Sequence, residues 1–410
     1  MKFSNQQKIL LALLVVAGCA YLTMIPFLNR MKSETKQYET VAAERDLDAK
    51  NMTSKQLDLD KAKTAADKNP EDAKLQMTAA EACLQANLWK ETVQYSRNAS
   101  RLAPREVAPL VSLAIASKAL GQFQAAIEAY REALKIDPDE PRSLVGLSTT
   151  YLSFGWTSDA INLLRPAIIK DPQNIHLKFA LGLAEIQNSN YLMAEKTLLE
   201  LKEQAPDEVE LWSPLAELYV SMKRFPEAKS IANESLLKKP NQTAVLSELG
   251  AAQYESNDIA GCIATFQTIQ KINSESVTAK YYLGLCEQKQ NRLPEAIAYF
   301  EAVLKVDPAY NETQLLLGKL YLRTGKENGK EAEGRKLLLE SKLSHERQLK
   351  TQQTGLFLSL HPNSPEAHFN RATLYTKEGE HGKAQVELKR TQELKPDYPG
   401  LKEAIANSPH

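Results

Sequence analysis

The chain has 410 residues, 43% of them hydrophobic and 25% charged, and its 51 basic side chains are matched by 51 acidic ones. That composition suits a folded protein long enough for two or three compact domains or one long repeat array. The zero net charge argues against a dedicated nucleic-acid binder, which needs a basic surplus to neutralise phosphates.

The first element in chain order is the uncharged run "ILLALLVVAGCAYLTMIPFL", residues 9–28, behind the short leader "MKFSNQQK". A run of this length crosses a bilayer as one helix. Its full extent predicts an uncleaved signal anchor over residues 1–28. "VAGC", ending at Cys19, resembles a bacterial lipoprotein signal, in which Cys19 would be lipidated and become the new N-terminus; a removed secretory signal is a third reading. Lys2 and Lys8 on one side of the run are balanced by Arg30, Lys32 and Lys36 on the other, so the positive-inside rule leaves orientation open. The short leader favours a single-pass protein whose soluble domain is extracytoplasmic, periplasmic or at the cell surface if the source is bacterial. Residues 29–72 read as a polar, charge-rich stalk or a degenerate repeat. The four cysteines, Cys19, Cys83, Cys262 and Cys286, lie too far apart for a CxxC metal motif and are too few for a disulfide framework; the last three read as small buried residues.

From there a ladder begins. Prolines fall at 104, 138, 172, 206 and 240, each 34 residues after the last, with Ser274 and Pro308 in the next two slots. Pro70 extends the ladder backwards, and Pro362 and Pro396 resume it. A fixed period of this length marks a repeat architecture. The seventh and eighth places of each unit pair a large residue with a small one, as at Leu181–Gly182, Leu215–Ala216 and Leu283–Gly284. The eleventh place is tyrosine at 151, 219, 321 and 375, and the twentieth is alanine at 126, 160, 194, 228, 296 and 384, with Cys262 as a small substitute. Large residues three and four apart form a helical apolar stripe, and the small ones let a second helix approach closely. Gly121, Gly155, Gly325 and Gly379 fall midway, where a left-handed residue closes a first helix. Proline, lacking an amide hydrogen and restraining the residue before it, separates one unit from the next.

A tryptophan or leucine, then leucine–glycine/alanine, tyrosine, alanine and proline within 34 residues resembles the tetratricopeptide repeat. Residues 209–242 carry the pattern with Trp212, Leu215, Ala216, Tyr219, Ala228 and Pro240. The resemblance covers residues 73–398 in about nine repeats and implies an all-α, right-handed superhelical solenoid of helix pairs, preceded by the transmembrane or signal helix. Each pair is expected to pack chiefly on its neighbours. The spacing between Pro308 and Pro362 is 54 residues, which predicts an insertion at about 326–361 that lengthens a second helix. Residues 399–410 read as a C-terminal cap or tail.

In this family the second, fifth, ninth and twelfth places of the first helix face the concave side. Carried onto this chain they select a partner-binding groove of Val111, Ile115, Val145, Phe179, Leu183, Ile186, Val220, Tyr254, Tyr281, Leu285 and Leu315, with filling of the core as the competing reading. The lysine and asparagine that chaperone-binding members use to hold a peptide carboxylate are missing from the corresponding places. No phosphate loop, nucleophile elbow or HExxH motif occurs, and His361, His368 and His381 lack the spacing of metal ligands on one helical turn. The expectation is a non-enzymatic scaffold or adaptor with no cofactor and no metal, anchored in a membrane and binding a protein or peptide. Two alternatives remain: a bacterial envelope lipoprotein assisting pilus or secretion-complex assembly, and the regulatory subunit of a membrane-associated enzyme.

Overall fold

The computed structural model describes residues 56–407. The apolar run 9–28, Cys19 and residues 29–55 lie outside them. Among the described residues no helix is both long and apolar enough to cross a membrane.

Residues 56–68 form helix α1. Nine helix pairs follow: α2 (Ala73–Gln85) with α3 (Trp89–Leu102), α4 (Val107–Ala119) with α5 (Phe123–Ile136), and α6 (Pro141–Ser153) with α7 (Thr157–Lys170). Next come α8 (Ile175–Gln187) with α9 (Tyr191–Gln204), α10 (Ser213–Ser221) with α11 (Phe225–Lys238), and α12 (Thr243–Glu255) with α13 (Ile259–Ile272). The last three are α14 (Val277–Lys289) with α15 (Leu293–Val306), α16 (Asn311–Asn328) with α17 (Glu331–Leu360), and α18 (Pro365–Lys377) with α19 (His381–Leu394). A 3-10 turn, Val209–Trp212, leads into α10, and α20 (Leu401–Ala406) ends the array.

Eight of the nine pairs bend at their fifteenth place. Asn87, Gly121, Gly155, Ser189, Lys223, Asn257, Asn291 and Gly379 all sit there with φ between 57° and 78°. The left-handed residue lets the next amide reach back to close the first helix, as Gln122 N–H does to the Ser117 carbonyl (2.9 Å) and Asp258 N–H to the Gln253 carbonyl (2.8 Å). Glycine serves this place cheaply, yet five pairs accept an ordinary residue, so the turn is set by the packing of both helices as much as by local preference. Gly325 departs from the expectation. Helix α16 runs through it, and Gly329, at φ 72°, provides the left-handed cap. The insertion therefore lengthens both helices of its pair, to 18 and 30 residues against the usual 13 and 14.

The second helices stop just before the ladder prolines. Asp137, Asp171 and Asp307 cap them with φ between −130° and −124°, the extended conformation that a following proline imposes. Within a pair, large and small residues interlock: a Cβ added to Gly284 would lie 2.7 Å from the Phe300 ring, so glycine there admits the buried aromatic of α15. The eleventh-place tyrosines stitch one pair to the previous one, Tyr219 donating to Glu195 on α9 (3.1 Å) and Tyr321 to Glu301 on α15 (2.5 Å). At the ends, Leu59 and Ala66 of α1 are buried against Ala79, Ala80 and Tyr95. Leu401 of α20 covers Ala372 and Leu388.

First helices also touch the first helices of adjoining pairs, α4 on α6, α6 on α8, α10 on α12 and α12 on α14, while the second helices of adjoining pairs make no comparable contact with one another. The curve therefore tightens on the side of the first helices, and they line its inner face.

Curvature accumulates until the chain meets itself: each pair packs chiefly on its neighbours, and one further contact joins the ninth pair to the second. Helix α19 of the ninth pair seats on α5 of the second. Tyr375, Ala384 and Val386 join one buried core with Ile127, Tyr130 and Trp156. Arg131 pairs with Glu393 at 3.3 Å, and the His368 ring meets Trp156 edge-on at 5.7 Å. At Gly382 a Cβ would overlap the Gly121 carbonyl oxygen. Beneath this seam, Glu387 is fully buried against Arg371 and lies within hydrogen-bond distance of His368 Nδ1, at 2.6 Å. His368, whose spacing from His361 and His381 does not suit metal ligands on one helical turn, is thus a buried structural partner.

Candidate partner-binding surface

The inner face can be rebuilt from the first helices. Of the eleven residues selected from the sequence, nine are half-buried there. Ile115 and Val145 lean on the core of the second and third pairs. Phe179, Ile186 and Val220 lean on the core around Leu198, Leu215 and Leu218. Tyr254 packs on the Phe266 core, and Tyr281 and Leu285 on that of Phe300 and Leu317. Leu183 is half-buried as well. The two extremes differ: Val111 is 1% exposed and belongs to the interior, whereas Leu315 is 38% exposed.

Around α12 and α14 the surface becomes a tyrosine patch. Tyr282 stacks on Phe266 with ring centroids 4.5 Å apart, and Tyr254 and Tyr281 meet Tyr282 edge-on at 5.8 and 5.5 Å. Tyr310 lies 5.3 Å from Tyr281, and Lys289 holds its ammonium 4.1 Å above the Tyr254 ring. All four tyrosines are half-buried. Burial pushes the Tyr282 hydroxyl up to about 12, and it raises Tyr254, Tyr281 and Tyr310 as well. These rings are neutral hydrogen-bonding groups across the physiological range.

Two carboxylates border the patch. Glu248 on α12 is raised to about 7 by burial, reinforced by the negative charge of Glu217 on α10. Glu217 is open to water yet raised through desolvation. A side chain inside a tight curve has protein on several sides, so it loses bulk hydration while still touching solvent. The combination suits a ligand that brings apolar side chains to the rings and a cation to the carboxylates. Among the described residues, no group of three or more His, Cys, Asp and Glu is arranged to hold a metal ion.

Selecting apolar residues alone passes over the acidic part of this surface. Glu217 occupies the same ninth place as Ile115, Leu183 and Leu285, and Glu248 and Tyr282 share the sixth place of consecutive first helices. The repeat register therefore carries the signal once polar residues are read along it. Their mutual distances depend on the superhelical curve and have no sequence signature.

The comparisons with known proteins bear on the repeats and the fold. Two tetratricopeptide repeat family models match, over residues 118–178 and 277–310. No curated protein matches the chain. Among solved structures, a tetratricopeptide repeat protein from Parabacteroides merdae is similar at a TM-score of 0.52 and 18% identity, covering 61% of this chain and 98% of that one. The Cut9–Hcn1 hetero-tetramer of the APC/C aligns at a TM-score of 0.47 and 13% identity, over 82% of this chain and 63% of that one. Human IFIT1 bound to PPP-AAAA aligns at 0.45 and 14%, over 80% and 91%. The Parabacteroides likeness extends to the fold. The chain carries tetratricopeptide repeats, built into an all-α solenoid of helix pairs.

Proposed function

We propose that the protein is a membrane-anchored, non-catalytic scaffold whose inner surface binds a protein or peptide partner. The observation that carries the reading is the half-buried row of apolar and tyrosine side chains along the first helices, bordered by Glu217 and Glu248. A preformed surface of this kind loses little entropy on binding, and several shallow contacts along it add up. Tyrosine rings supply large contact area with few rotors to freeze, and the two carboxylates favour a partner with a basic side chain. Tetratricopeptide repeats generally mediate protein–protein interaction, which supports a protein partner.

Substituting Phe179→Lys and Tyr281→Lys together tests this. Loss of the co-purifying partner with helicity unchanged supports the groove. Loss of helicity instead assigns both residues to the core, where burying a charge is severely destabilising.

The anchor rests on the length of the run at 9–28, and the short leader before it favours an extracytoplasmic repeat domain. The motif "VAGC" favours the second reading, a bacterial envelope lipoprotein assisting pilus or secretion-complex assembly. Intact mass of the protein extracted from its native membrane separates the two. The full-chain mass supports the anchor, and loss of residues 1–18 with added acyl chains supports the lipoprotein.

A further inference from the structure

Two thiols sit against each other inside the array. Cys262 on α13 and Cys286 on α14 are fully buried, and their sulfurs are 3.1 Å apart, closer than unbonded sulfur atoms normally rest. They lie 24 residues apart, at the twentieth place of the sixth pair and the tenth place of the seventh. At the same two places other pairs carry Ala160 facing the core of Ala184, and Ala228 that of Ala252, all fully buried. The backbones of successive pairs therefore approach here as closely as alanine permits, which is the approach a disulfide requires. Replacing that alanine pair by two cysteines puts the sulfurs together without moving a helix. Cys83, the remaining described cysteine, is buried in the separate core of the first pair.

We propose that Cys262 and Cys286 are a disulfide-forming pair that locks the sixth helix pair to the seventh. The oxidant is a small-molecule or protein disulfide. One thiolate of the pair attacks one sulfur of that disulfide, forming a mixed disulfide and releasing one thiol. The other thiolate then attacks the cysteine sulfur of the mixed disulfide, forming the bridge and releasing the second thiol. The protein gives up two electrons and two protons, and the oxidant takes them. Burial confines the reaction to moments of local opening, so closure is slow and the finished bridge resists reduction. The bond lies beneath Tyr254 and Tyr282, which pack on the same core, and it fixes the spacing of the tyrosine patch. In an oxidising compartment the pair is bridged, and in a reducing one it is free.

The full chain, warmed to just below its melting point with oxidised glutathione, is acid-quenched, denatured, alkylated with iodoacetamide and digested with trypsin without reduction. Cleavage at Lys271 and Lys280 separates the two cysteines, so a bridge appears as a linked peptide pair lacking two hydrogens. The expected result is that linked pair with Cys83 alkylated, and a melting temperature about 4 °C above the reduced protein. Full alkylation of Cys262 and Cys286, or a bridge to Cys83 in their place, overturns the proposal. Cys262→Ala, which restores the residue most other pairs use and so preserves the fold, is expected to abolish both the linked pair and the rise in melting temperature on oxidation. A rise of the same size in that variant overturns the proposal. None of these readouts depends on partner binding.

Discussion

Glu248 provides the sharpest numerical consequence of an inner face lined by first helices. Its carboxyl titrates at about 7 in the folded chain against 4.5 when free, because burial and the nearby Glu217 oppose its charge. The folded state then holds a proton that the unfolded state has released between those two values. Stability from this group is greatest below pH 4.5, falls as pH rises through the window, and is lost above pH 7. The full penalty is at most roughly 3 kcal/mol, and partial access to water reduces it to about 2 kcal/mol. Glu248→Gln keeps the side-chain shape and removes the charge. The variant should be more stable than the parent by about 2 kcal/mol at pH 8, near 3 °C in melting temperature for an array of this size, and equal to it near pH 4. Thermal melts of both proteins from pH 4 to pH 8 provide the assay. A constant offset between the two curves would show that Glu248 is hydrated like a surface carboxylate and refute its placement inside the curve.

Two further substitutions probe the seam. Glu387→Ala leaves Arg371 and His368 buried without their shared carboxylate, and its melting free energy should fall by about 3–5 kcal/mol; a loss under 1 kcal/mol would mean that water reaches these groups. Gly382→Ala drives a methyl into the Gly121 carbonyl, and overpacking of this kind costs about 1–3 kcal/mol. Small-angle scattering should show a larger radius of gyration for that variant at unchanged helicity, and identical scattering would refute a closed seam.

Much of the architecture is legible in the sequence because each unit repeats the same local solution. The prolines mark unit boundaries, and Leu283–Gly284 with Phe300 already specify how two helices interlock. Gly325 misleads because a cap depends on where the helix ends, and the inserted residues let α16 run past it to Gly329. The seam is invisible for a different reason. Small rotations between pairs add up over seven units before Trp156 meets His368, and no local pattern records the total. The same holds for Cys262 and Cys286, each unremarkable in its own helix and adjacent only because the register superimposes their places. On the inner face, the apolar places are legible from the family register, but the register alone does not separate Val111, which is interior, from Leu315, which is exposed.

Site-specific photocrosslinking tests the central claim most directly. A benzophenone side chain is placed at Tyr282 on the inner face or at Leu237, which is 86% exposed on the second helix α11, and the protein is irradiated in an extract that contains its co-purifying partner. The account predicts a covalent adduct with the co-purifying partner from position 282 and none from position 237. An adduct from 237 alone, or from neither while the unaltered protein still recovers the partner, would contradict binding on the inner face.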